Sequence, residues 1–234
     1  MIGTIGLLIL ALVILAFFLW IGTRNNQQDR ALKQSLGQGL GLRPVTQITT
    51  ELTRQITSVR QPGQSRVLAL RNVFSTTLPE GELYLFDLWE SRSGYRGYLE
   101  ECSFAIISPA ANLPQMSLIP RGEVPGKPAG ALSPVVAWAL NPHESEIRLG
   151  HPGFEARYLL TGKQETAVRA ALKPALIDYL VRSPLLLLRA HEHTVSVTAG
   201  GSKNGRKAPD PETVRALYGQ AIQISSLLFT EGKV

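Results

Sequence analysis

A single cysteine among 234 residues excludes an intramolecular disulfide framework and any cysteine-built zinc or iron–sulfur centre. Aromatic residues make up only 7%, the basic charges are dispersed and no aromatic-and-basic stacking motif appears, so no nucleic-acid partner is expected. Charged residues are few, at 18%, but an apolar fraction of 44% excludes a disordered chain. The 15 prolines and 21 glycines follow no period, which excludes a collagen-like repeat. Recognised catalytic signatures are missing too: there is no His-Glu-x-x-His, no Gly-x-Ser-x-Gly and no kinase set. Two glycine clusters fail as phosphate loops. Gly37 to Leu42 follows a helical pattern instead of a strand, and Gly200 to Lys207 has Arg206-Lys207 where Lys-Ser/Thr is required. No cofactor is expected.

What is present begins with a run from Ile2 to Ile21 that carries no charge, long enough as a helix to span about 30 Å of hydrocarbon. Neither a basic residue before it nor a small-x-small site after it marks a cleaved signal peptide, so a transmembrane anchor is expected over residues 1–23, with Ile2, Leu8, Ile14 and Trp20 facing the bilayer. Arg24, Arg30 and Lys33 follow the run and place the remainder in the cytoplasm of a bacterial inner membrane. That remainder holds the whole net charge of +6, and its basic turn Lys203, Arg206 and Lys207 is a candidate contact for anionic headgroups or an acidic partner.

The expected fold class is α+β: the anchor, then a mostly antiparallel β lobe, then a β-α-α-β-β-α lobe. Asp29 to Leu40 reads as an amphipathic helix ending at Gly37, Gly39 and Gly41. Arg66 to Phe74, Glu82 to Ser91 and Tyr95 to Ile107 are β-branched and aromatic runs, the last two joined at Ser91-Arg92-Ser93-Gly94. Closure there sets Trp89 opposite Arg96 and Asp87 opposite Tyr98, and pairs Asp87 with Arg96 or Tyr98. A functional reading of Asp87 makes it a base or ligand instead. Seven prolines between Pro109 and Pro142 predict a linker dividing residues 24–119 from 146–234, with 120–145 at its centre. Beyond it, Phe154 to Thr161 alternates as a strand, Gln164 to Leu172 and Pro174 to Arg182 read as helices, and Leu185 to His191 and Thr194 to Thr198 as strands. Asp210-Pro211-Glu212 opens a last helix.

With these residues in place, the chain resembles a family of uncharacterised bacterial membrane-anchored proteins, a domain of unknown function. The resemblance rests on Leu40-Gly41-Leu42, Phe86-Asp87-Leu88-Trp89, the closing Pro-Glu helix and, most specifically, His151 to Leu160. It implies a single anchor with an α+β domain and carries no catalytic residue.

Histidine is the remaining source of chemistry. His191 and His193, two apart, share a strand face and could share a metal, with His143 or His151 as a third ligand. Cys102 lies in an apolar strand without a basic neighbour, as a small buried hydrophobe does. Two functions follow. One is a non-catalytic protein-binding or scaffold module at the lipid bilayer, acting through an exposed sheet edge or the proline-rich linker. The other is a metal-dependent hydrolase or ligand-binding domain using His191 and His193 with Asp87 or Glu192.

Overall fold

Leu78 and Gly81 face each other across the two-residue turn Pro79-Glu80, and this turn starts the sheet. Gly81 has φ of 153°, and a Cβ there would strike the Ile107 carbonyl oxygen of a third strand, so only glycine fits. A computed structural model describes residues 31–59, 65–92, 98–121, 146–199 and 210–229. The hairpin pairs β2 (Ser65–Leu78) with β3 (Gly81–Arg92), and β4 (Tyr98–Ile107) lies along the far side of β3. Outside β2 lies a two-residue strand, β1 (Arg43–Pro44). Then come β5 (Leu113–Pro120), β6 (Tyr158–Gly162), β7 (Leu186–Glu192) and β8 (Thr194–Ala199). All eight form one antiparallel sheet in the order β1-β2-β3-β4-β8-β7-β5-β6.

This sheet corrects the expected fold class. β4, from the expected first lobe, pairs with β8 from the second, and β5 pairs with both β6 and β7, so the strands of the two lobes form a single layer. Prolines mislead here because of where they sit. Pro114 falls at an irregularity in the β5–β7 register and Pro120 ends β5, so neither interrupts the regular ladder. The expected linker continues through residues 122–145, which lie outside the described residues.

The transmembrane element of the expected fold class, residues 1–23, lies outside the described residues. Among the described residues no helix is long and apolar enough to cross a membrane. Ile2, Leu8, Ile14 and Trp20 lie outside them, as do Lys203, Arg206 and Lys207.

Helices cover both faces of the sheet. Helix α1 (31–39), α3 (Pro152–Arg157), α4 (Glu165–Ala171), α5 (Pro174–Arg182) and α6 (Pro211–Phe229) share one core with Phe74, Leu83, Phe104, Leu188 and Val197. In α6 the stripe Val214, Leu217, Ala221, Ile224 and Leu228 is buried, as its spacing requires. Against the other face, α2 (Thr50–Ser58) packs Leu52 and Ile56 with Leu70, Phe86, Leu88 and Ala105. This helix is absent from the sequence-based expectation. Its start is nonetheless marked by Thr49, whose hydroxyl accepts from the Leu52 amide at 3.0 Å.

Residues 154–157, expected to begin a strand, are helical. Pro152 occupies the first turn, His151 Nδ1 accepts from the Phe154 amide at 3.1 Å, and Glu155 accepts from the Gly150 amide at 2.8 Å. Those caps outweigh the alternation, and the chain becomes a strand only at Tyr158.

Candidate functional site

Asp87 is 2% exposed on a strand whose other side chains are largely apolar, and it must find partners in the fold. Its expected partners are not the ones it has. The register sets Cys102 opposite Asp87 and Tyr98 opposite Ser91, while Arg96 lies outside the described residues. Lys33 of α1 reaches across instead and places Nζ 2.5 Å from Asp87 Oδ2. Asn72 of β2 donates to the same oxygen at 2.6 Å. Lys33, expected to flank an anchor, thus has only 12% of its side chain exposed.

Local structure explains why these groups meet. Asn72 has φ of 48°, and it sits at the register shift between Arg71 and Phe74. Asparagine tolerates this left-handed conformation, so the irregularity turns its amide toward β3. Helix α1 ends in a Schellman motif: Gly41, at φ of 72°, donates to Gln38 O, and Leu42 N donates to Gly37 O at 2.8 Å. Earlier in that helix Gly37 lies flat on Phe74, where a Cβ would come within 2.8 Å of the ring. The close approach lets Lys33, one turn before, reach Asp87. A small cleft remains among Leu32, Leu36, Phe74, Leu85, Cys102 and Val214. Cys102 is half-buried in it. Asp87 Oδ2 is thus occupied by an ammonium and an amide donor together.

The histidines do not converge on Asp87. β7 ends at Glu192; His191 pairs with Thr194 in the last rung against β8, and the chain reverses through Glu192 and His193. His193 is therefore off the strand, and its Nδ1 donates to the Ala111 carbonyl oxygen at 2.5 Å. His191 has its Nε2 3.9 Å from Glu192, and its buried Nδ1 has no hydrogen-bond partner among the described residues. Glu192 sits near α2, where it adds to the rise in the Arg54 pKa caused chiefly by Glu51. His151 is spent as a helix cap, and His143 lies outside the described residues. Thr194 faces Ile107 and Asp87 faces Cys102, so about 17 Å of β4 separates their levels. Among the described residues no group of three or more His, Cys, Asp or Glu side chains is placed to hold a metal.

The two ends of the sheet are treated differently. Along β6 the outer edge is occupied: Glu146 bridges Thr161, Ile147 N donates to Leu160 O at 2.8 Å, and Arg121 Nε donates to Tyr158 O at 3.2 Å. An Arg121–Glu146 ion pair at 2.6 Å fastens these pieces together. Along β2 the outer edge is met only at its inner end, by Arg43 against Ser75, Pro44 against Phe74, and Val45 N donating to Val73 O at 2.9 Å. From Ser65 to Asn72 no strand among the described residues pairs with that side. The sequence expectation placed β2 correctly but could not show it was an edge.

No protein-family model matches the chain, and no curated protein matches it. Among solved structures the chain is similar to the crystal structure of the mycobacterial trehalose monomycolate transport factor A, TtfA. The match has 11% identity and a TM-score of 0.52, and covers 88% of this chain and 97% of that one. At that identity the likeness is one of fold alone.

Proposed function

We propose that the domain is a non-catalytic protein-binding module that takes up an extended strand of another protein along the outer edge of β2. The observation that carries this reading is the contrast between the two sheet edges. A row of backbone donors and acceptors is a template for strand addition, and folded proteins normally blunt it. This chain covers β6 with a bridge, a backbone bond and an ion pair, yet among the described residues no strand pairs with the outer side of Ser65 to Asn72. The occupant is an acid-bearing strand. Ser65 to Val73 carries Arg66 and Arg71 and no carboxylate, so pairing with a second copy would set like charges together.

A photo-activated cross-linking side chain placed at Ala69 of the full-length protein in its native cells tests this. Adducts at Ala69 that map to one extended segment of another protein, with none from the same group at Thr161 on β6, are the expected outcome. Equal yields at the two positions, or adducts only between copies of this chain, would refute it.

A further inference from the structure

Three neighbouring features meet at the inner end of the open edge. Asn72 ends the regular part of β2, β1 covers Phe74 and Ser75 just beyond, and α1 precedes β1 in the chain by a short Schellman turn. Asp87 Oδ2 ties the first to the third, since it accepts from both Asn72 and Lys33. Residues 31–45 thus form a strap. At one end it is pinned by a buried ion pair and by Gly37 lying on Phe74; at the other it is paired to β2 through two residues and the Val45 amide.

We infer that this strap is an intramolecular stop on the β2 edge, with Lys33–Asp87 as its latch, so that releasing α1 frees Val73 to Ser75 for an incoming strand. This inference rests on the strand-addition reading and names its regulation. The physical basis is the unevenness of the strap's attachments. The β1 pairing is too short to hold by itself, since a ladder of two residue pairs returns little of the entropy of ordering the chain. A buried ion pair is sensitive to loss of one partner, because the other charge is then left in a low-dielectric site. The strap is therefore secured through α1, by the Asp87 ion pair together with Leu36 and Leu42 buried in the main core, and a partner strand that extends past Asn72 must compete with β1 for the same backbone groups. In such a scheme apparent affinity falls with the fraction of molecules whose strap is open.

Hydrogen exchange on the full-length protein tests the latch without any natural partner. In Lys33→Ala, exchange at Val45, the amide bonded to Val73, is expected to speed up by at least about tenfold, while β6 amides keep their rate. Lys33→Arg, which retains the charge, is expected to stay close to wild type. Gly37→Val is a second opening variant that leaves Lys33 and Asp87 in place; it pushes α1 off Phe74 and should also speed exchange at Val45. The probe for the vacated edge is a capped synthetic peptide copying residues 40–48 of this chain. It is expected to slow exchange across Val73 to Ser75 in Lys33→Ala and to leave wild type unchanged. Exchange at Val45 that stays at the wild-type rate in both opening variants would overturn the latch. Faster exchange without protection by the peptide would overturn the proposal through the edge reading on which it rests.

Discussion

Replacing Lys33 by methionine keeps most of the side-chain volume and removes the ammonium, leaving Asp87 with Asn72 as its remaining named donor. Asp87 is 2% exposed and Lys33 12%, so water can reach this pair only from the lysine side. Breaking a buried pair by deleting one member costs about 3–5 kcal/mol, and the surviving Asn72 bond places this case near about 3. For a domain of this size about 1 kcal/mol corresponds to about 2–4 °C, so Lys33→Met should lower Tm by about 6–12 °C. The double variant Lys33→Met/Asp87→Leu removes both charges and leaves the Asn72 amide without its Asp87 acceptor, a loss of about 1 kcal/mol for that bond. The double variant should therefore be more stable than Lys33→Met alone by about 2 kcal/mol, which is the difference between those costs. Urea and thermal unfolding of the full-length chain, followed by circular dichroism, measure both. A single variant within about 0.5 kcal/mol of wild type, or a double variant less stable than either single, would refute the burial argument.

Three further outcomes follow from local geometry. Gly81→Ala forces a Cβ against the Ile107 carbonyl at a φ of 153°, and a loss of about 2 kcal/mol or more is expected in chemical unfolding. Burial raises the Tyr158 phenol above its ordinary pKa, so its stabilising effect is complete below the unfolded value near pH 10 and is lost as pH rises through the folded one. Tyr158→Phe should remove that alkaline loss, at the expense of the bond its hydroxyl accepts from the Leu186 amide, about 1 kcal/mol; a wild-type chain whose stability is flat through that range would contradict it. Asp210 caps α6, and bonds from the Glu212 amide and from Thr213 lower its pKa. The cap is therefore present above the ordinary aspartate range and is lost as pH falls through the lowered value. A carboxyl-carbon NMR titration should find its midpoint below that of an unstructured aspartate.

The strands and helices that sequence made legible are those whose signals are local. Pro174 to Arg182 has its proline at the first turn and its buried Leu176 and Leu180 at helical spacing, and Asp210-Pro211-Glu212 announces α6 with a side-chain cap. What was illegible depends on distant partners. Asp87 was recognised as needing a cation, but the cation is 54 residues away on a helix whose placement depends on Gly37 and Phe74. A hairpin tip at Ser91 to Gly94 gives the wrong register, because pairing of Ser91 with Tyr98 requires a longer connection. His191 and His193 were given a common face by counting along a strand, and a turn at Glu192, with φ of 50°, separates them. Asn72 did carry a signal. An asparagine inside a β-branched run is depleted in regular strands and favoured where the backbone turns left-handed, and here it marks the irregularity that holds Asp87.

Under the strand-addition proposal, the ionisable groups around the sheet are structural. An active site needs polar groups from several elements to converge on one reacting atom. Here the ionisable groups are spent pairwise on structure: Lys33 on Asp87, Arg121 on Glu146, His151 on an amide and His193 on a carbonyl. Each pairing fixes a piece of irregular chain to the sheet. The Arg121–Glu146 pair helps to close the β6 edge, and among the described residues the outer side of Ser65 to Asn72 on β2 has no partner strand. Backbone groups recognise an extended chain by its repeating geometry and discriminate weakly among side chains, so specificity must come from charge along the edge. On the strand-addition proposal, Arg66 and Arg71, with no carboxylate between them in the sequence, supply that bias. Reversing both to glutamate should therefore abolish cross-linking from Ala69 while leaving the β2–β3 pairing intact, whereas a partner held by backbone alone would survive the reversal.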